Sequence, residues 1–99
     1  MKRKAGKRSE PQTAAVVLRL YISKNAPNSL LALSNITAIA GNYVGKIKVE
    51  VIDVLEHPLR ALADGILVTP SLTKVSPLPS AKIVGNLNDR DKVLLGLGL

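Results

Sequence analysis

Residues 46–55, Lys-Ile-Lys-Val-Glu-Val-Ile-Asp-Val-Leu, put Ile47, Val49 and Val51 on one side and Lys46, Lys48 and Glu50 on the other. Successive side chains of a strand point to opposite faces, so this two-residue period reads as a strand. Upstream, residues 14–23 are a β-branched and aliphatic run, Ala-Ala-Val-Val-Leu-Arg-Leu-Tyr-Ile-Ser, which reads as a buried strand. Between the two, Leu30, Leu31, Leu33, Ile36, Ile39 and Ala40 recur at helical spacing. Pro27 suits the first helical position, where its missing N–H costs nothing, and Gly41-Asn42 suits the exit. Strand, helix and strand in that order predict a βαβ unit with parallel strands and a right-handed crossover. An α/β fold follows for this half of the chain.

The second half is less one-sided. Residues 57–65, His-Pro-Leu-Arg-Ala-Leu-Ala-Asp-Gly, read as a short helix between Pro58 and Gly65. Residues 66–75 read as a strand, although Pro70 has no N–H to give a sheet and demotes it to an edge or a turn. Residues 76–80, Ser-Pro-Leu-Pro-Ser, are a turn, and 81–87 a short strand. The last twelve residues begin like a helix, with Asn88 as cap and Asp91 three positions on. They end Leu95-Gly96-Leu97-Gly98-Leu99, an alternation that suits a strand equally well. Each glycine inside a helix costs roughly 1 kcal/mol relative to alanine, so local preference there is nearly balanced.

The length of 99 residues fits one domain, taken as 14–99 behind a disordered basic leader at 1–13. A chain this short buries roughly two thirds of its unfolded surface and has little stability to spare. With no Phe, no Trp and two Tyr, its core must be aliphatic. The net charge of +7 is concentrated at the start. Lys2, Arg3, Lys4, Lys7 and Arg8 hold five of the fourteen basic residues, which leaves nine against seven acidic residues, a net +2, for the remainder. The leader reads as a solvated extension rather than as a nucleic-acid arm, because the aromatic platforms of single-strand readers are missing and Tyr21 and Tyr43 lie far apart.

Reactive groups do not converge. The chain has no cysteine, which excludes a disulfide framework, thiol chemistry and thiolate metal sites and fits a reducing cytoplasm. The one histidine, His57, sits at a helix start and reads as a solvated or capping group rather than as an acid–base catalyst. Asp89 and Asp91 with Asn86 and Asn88 resemble a calcium loop but lack its central Gly and terminal Glu, so helix capping explains them better. There is no glycine-rich phosphate loop. No apolar run approaches the roughly 20 residues that cross a membrane, and Asn25, Pro27 and Asn28 interrupt any signal-peptide pattern. The expectation is a protein with no enzymatic activity, no metal and no cofactor, whose work is protein binding.

Four blocks in order, 18–29 (LRLYISKNAPNS), 48–55 (KVEVIDVL), 66–75 (ILVTPSLTKV) and 83–97 (IVGNLNDRDKVLLGL), resemble the KaiB family of circadian clock proteins from about residue 15 to the end. The resemblance implies a thioredoxin-related protein with two folds: a resting tetramer with element order βαββααβ, and an active thioredoxin-like form, βαβαββα, that binds the KaiC ATPase ring, captures KaiA and competes with a sensor kinase's thioredoxin-like domain. The resting order is the expected one here, in a homotetramer or dimer, with the thioredoxin-like order as the alternative. A fixed thioredoxin-like docking module, as in sensor kinases, is the second functional reading.

The resemblance also assigns residues. Thr69-Pro70 matches a family Thr-Pro that is cis in the thioredoxin-like form, Pro77 and Pro79 match two of three neighbouring prolines, and Gly96 and Gly98 fall where changes bias the switch. Arg19, Lys74 and Lys82 match basic partner-binding positions. The family's Cys-pair-bearing thioredoxin relatives carry those residues near 24–29, where this chain has none. Leu31, Glu50, Gly85-Asn86, Gly98 and Val16 depart from the family's usual residues and mark a divergent member, with KaiA binding affected more than KaiC binding.

Overall fold

The computed structural model describes residues 15–99, so the expected disordered leader lies outside the described residues. The elements are β1 (Val16–Ile22), α1 (Pro27–Asn42), β2 (Ile47–Asp53), α2 (Pro58–Ala63), β3 (Ser71–Ser76), β4 (Ala81–Val84) and α3 (Arg90–Gly96). They form one four-stranded sheet in the order β2-β1-β3-β4. Strands β1 and β2 are parallel, from Val16 opposite Ile47 to Ile22 opposite Asp53, as the βαβ reading requires. Strands β3 and β4 are each antiparallel to their inner neighbours.

This is the βαβαββα order, the alternative of the two; the resting βαββααβ order is not the one adopted. The reasons lie in how the second half is held. The prolyl turn at 77–80 lets β4 pair back on β3, Ser71 opposite Val84 and Lys74 opposite Ala81. The last segment is then free to cross the sheet as a helix. Asp89 caps it by accepting from the Lys92 N–H at 3.1 Å, one residue later than the expected Asn88. At the other end the Gly98 N–H reaches Leu95 O and the Leu99 N–H reaches Leu94 O. With Gly98 at φ +75° this is a Schellman ending, which satisfies orphan helix carbonyls.

One face of the sheet carries the core. Leu18, Leu20 and Leu72 are fully buried beside Ile36 and Ala32 of α1 and Val93 of α3, with Leu97 just beyond α3. Each such aliphatic side chain contributes roughly 1.5–3 kcal/mol on burial. Helix α1 buries Ser29, Ala32, Ile36 and Ile39, while Leu30 and Leu31, expected on the apolar stripe, are half exposed. Its N-terminus has no side-chain cap; instead Ser29 Oγ accepts the Ser23 N–H at 3.0 Å and ties the helix to the end of β1.

Two further expectations change. Val51 is 43% exposed and Ile52 is buried: β2 is an edge strand, and Ile52 lies beside Tyr21 on the opposite face, the one that Asp64 and Arg60 of the α2 region reach. The strand expected over 66–75 begins only at Ser71, after the buried Pro70, and 66–70 form an irregular approach to it.

Gly98→Ala is expected to cost about 1 kcal/mol of helix-end stability, since an added Cβ has room, with only Lys74 Nζ at 3.5 Å, but the left-handed backbone disfavours it. Faster amide exchange at Gly98 and Leu99 would report the loss. Gly41→Ala, inside α1 with open space around it, should stabilise by up to about 1 kcal/mol and serves as the contrast.

Candidate functional site

The face opposite the core is read off the register. Arg19 on β1 lies beside Glu50 on β2 and Thr73 on β3, and Thr73 lies beside Lys82 on β4. One row, Glu50-Arg19-Thr73-Lys82, therefore crosses all four strands. Alternation puts it on the side away from Leu18, Leu20 and Leu72. The short α2 lies over this side, joined to it through Arg60–Glu50 and Tyr21–Asp64, at the end where Ile52 and Tyr21 are buried.

Charge organises the row. Arg19 Nε donates to Glu50 Oε1 at 3.0 Å, and Arg60 Nη2 of α2 donates to the same carboxylate at 3.2 and 3.0 Å. Arg19 also stands 3.9 Å from Asp64, just past α2. The Tyr21 hydroxyl, whose ring is 1% exposed, donates to Asp64. Strands β1 and β2 and helix α2 are thus tied by one ionic cluster, with Lys82 exposed at its far edge and 3.4 Å from Gly65 O.

The hydrogen bond from Arg19, helped by Arg60, holds the Glu50 carboxyl below its ordinary pKa. Burial, then the bond to Asp64, pushes the Tyr21 phenol up, although Arg19 opposes this. A carboxylate depressed in the folded state adds stability that is fully present above its unfolded pKa, about 4.3, and lost as pH falls through the folded value. We therefore expect the anchoring of α2 to loosen below about pH 4. Glu50→Gln should flatten that acid limb when Arg60 and Ala61 amide shifts are followed by NMR.

Apolar groups flank the cluster. Leu55, Leu59, Leu62, Leu67 and Val68 are 52–89% exposed, on α2 and the segments on either side of it. A shallow cleft of about 150 Å³ lined by Val54, Ile66, Leu67, Val68 and Thr69 adjoins them. Exposed aliphatic residues gathered beside a charged row are what a protein-docking surface presents.

Of the residues expected to bind partners, Arg19 and Lys82 share this row. Lys74 does not. It points into the core face, is 4% exposed, and donates to Leu97 O at 2.6 Å. Its strand position held the signal: it is two residues from the fully buried Leu72 and so on the same side. The residues expected to switch the fold lie together in the second half. Pro70 precedes β3, Pro77 and Pro79 form the β3–β4 turn, and Gly96 and Gly98 end α3. The Thr69-Pro70, Ser76-Pro77 and Leu78-Pro79 bonds are cis. A Cβ on Gly96 would stand 3.0 Å from Ile83 of β4. His57 is the residue before α2, exposed and without a side-chain capping bond. The Tyr21–Asp64 tie was missed; it joins residues 43 apart, and no local pattern announces it.

A family model described as the KaiB domain matches residues 19–99. "Circadian clock oscillator protein KaiB" of Gloeothece citriformis is 49% identical over 84 residues, covering 84% of this chain and 79% of the relative. The protein of that name from Trichodesmium erythraeum is 46% identical over 90 residues, covering 90% and 86%. Among solved structures, the N-terminal domain of Synechococcus elongatus SasA superposes with a TM-score of 0.71 at 23% identity, covering 94% of each chain. Mitochondrial thioredoxin 3 of Saccharomyces cerevisiae gives 0.69 at 14% identity, covering 84% of this chain and 76% of that one. At those identities the structural likenesses establish the thioredoxin-like fold and nothing further.

Proposed function

This chain belongs to the KaiB family, and from that membership we propose that it is a non-catalytic regulator of a clock or signalling system that docks on a KaiC-like ATPase and modulates its phosphorylation or timing. The observation that carries the reading is a thioredoxin-like frame with no cysteine anywhere in the chain. Disulfide exchange needs thiols, so what remains of the frame is a surface. In this proposal Arg19 and Lys82 meet acidic groups of the partner, and the exposed leucines around α2 supply the apolar anchor.

The proposal includes a fold switch. The ambiguous half of the chain, with Pro70, Pro77, Pro79, Gly96 and Gly98, would rearrange between the present order and a resting, self-associated one, a homotetramer or dimer. Two such states coexist when their free energies lie within a few kcal/mol. KaiA or a sensor kinase is a further partner on this reading, and the protein works in the cytoplasm. Among the described residues no helix is long and apolar enough to cross a membrane.

A second reading, a fixed thioredoxin-like docking module, is favoured by the completeness of the α3 ending. One experiment separates them. Mixed with a KaiC-type ATPase ring, the full chain should co-elute with it in gel filtration. Alone, it should give two slowly exchanging sets of NMR signals for residues 66–99. A single set of signals with binding intact supports the fixed module, and absence of binding overturns the KaiC reading.

A further inference from the structure

Lys74 occupies a position where an aliphatic residue would be at home. It lies opposite the fully buried Leu18 across β1, and Leu72 beside it on the same face is also fully buried. An ammonium taken out of water is costly unless its charge and donors are met. Among the described residues no carboxylate lies within 4 Å of it, and its hydrogen-bond partner is Leu97 O.

That carbonyl is not an ordinary one. Leu97 caps the C-terminal end of α3, with its own N–H on Val93 O. The Schellman ending takes up Leu94 O and Leu95 O, and Leu97 O, at the negative end of the helix dipole, is the carbonyl that receives Lys74. Lys74 brings a full positive charge to that end. The match exists only while 93–97 is helical. Drawn out as the strand that Leu95-Gly96-Leu97-Gly98-Leu99 also permits, the segment would carry Leu97 O away from the ammonium and break this contact.

We propose that Lys74 is a latch: its buried ammonium, clasping the C-terminal carbonyl end of α3, selects the helical ending of the chain and so the thioredoxin-like arrangement. It is a positioning residue. It shapes the docking surface by deciding which fold is present, and its own side chain does not lie on that surface. The consequence for partner binding rests on the function proposed above; the latch itself does not.

The test therefore begins without a partner. Lys74→Met keeps the length and much of the apolar volume and removes the charge, while Lys74→Arg keeps the charge. In the full chain, native-state hydrogen exchange at Leu97, Gly98 and Leu99 should speed by about tenfold in Lys74→Met, as expected for a lost bond to a charged donor. Lys74→Arg should restore at least part of the protection, and amides of β1 and α1 should hold theirs in both. Unchanged exchange at 97–99 in Lys74→Met would overturn the latch, and so would equal loss in the methionine and arginine variants. Gel filtration and circular dichroism confirm that each variant folds; should Lys74→Met fail to fold, Lys74→Gln serves under the same criteria.

Binding to a KaiC-type ring is then measured separately. If Lys74 acts through the fold, apparent affinity drops by the same factor as the population of the helical form. An affinity loss at unchanged population would make Lys74 a direct contact and overturn the positioning role. Absence of binding by the unmodified chain would count against the proposed function while leaving the exchange result to judge the latch.

Discussion

Leu97→Ala should destabilise the thioredoxin-like arrangement by about 2–5 kcal/mol, the range for truncating a fully buried leucine. Leu97 is 1% exposed and belongs to the same cluster as Leu18, Leu72 and Val93. It is also the residue whose carbonyl receives Lys74, so a cavity there loosens the backbone that makes that contact. A domain of this size has roughly 5–15 kcal/mol in all, and on the fold switch proposed above the two forms would differ by only a few. The substitution should therefore unseat α3 and remove most of the form seen here. Urea denaturation gives the energy, and NMR signals of 90–99 give the population. Leu95, in the last turn of α3 and 80% exposed, is the control, and Leu95→Ala should stay within about 0.5 kcal/mol of the parent. Equal effects at the two leucines would mean that α3 is not anchored through Leu97.

The contrast between Leu95 and Leu97 also explains how much could be read in advance. The β1-α1-β2 half follows from periodicity alone, because 46–55 alternates and the segment before it carries a helical repeat, and each local preference agrees with the packing. The α/β class was legible on the same basis, whereas Arg19 and Lys82 were singled out only by the family resemblance, and the structure adds that they share one row. The ending was not. Residues 95–99 satisfy a helix and a strand about equally, and the choice is made by contacts distant in sequence: Val93 and Leu97 in the core, Lys74 twenty-three residues away, and Ile83 against Gly96. Lys74 is expected among the partner-binding residues because it matches a basic family position, and a family match carries no information about which face of β3 it occupies in this chain. The ionic cluster escaped for a related reason, since Tyr21, Glu50, Arg60 and Asp64 come from separate elements and meet only once α2 lies over the sheet.

A charge change on the row proposed to dock should separate binding from stability. Lys82 is exposed, and its polar contact among the described residues is a long one, 3.4 Å to Gly65 O, so Lys82→Glu should alter folding by no more than about 0.5 kcal/mol. If the row meets an acidic partner surface, the same substitution sets like charges against each other, and affinity for a KaiC-type ring should drop by about tenfold or more, mostly through a slower, less salt-sensitive association. Arg19→Gln acts differently. It leaves Glu50 to Arg60 alone and removes a positive charge from the middle of the row beside that carboxylate, so it should weaken binding and also shift the Glu50 titration upward towards its ordinary value. Because Arg19 and Lys82 are separated by Thr73 and share no partner, the two losses should be close to additive in the double variant. Unaltered affinity in the double variant, with the fold intact by NMR, would place the partner elsewhere, on the exposed leucines of α2 or on the β2 edge.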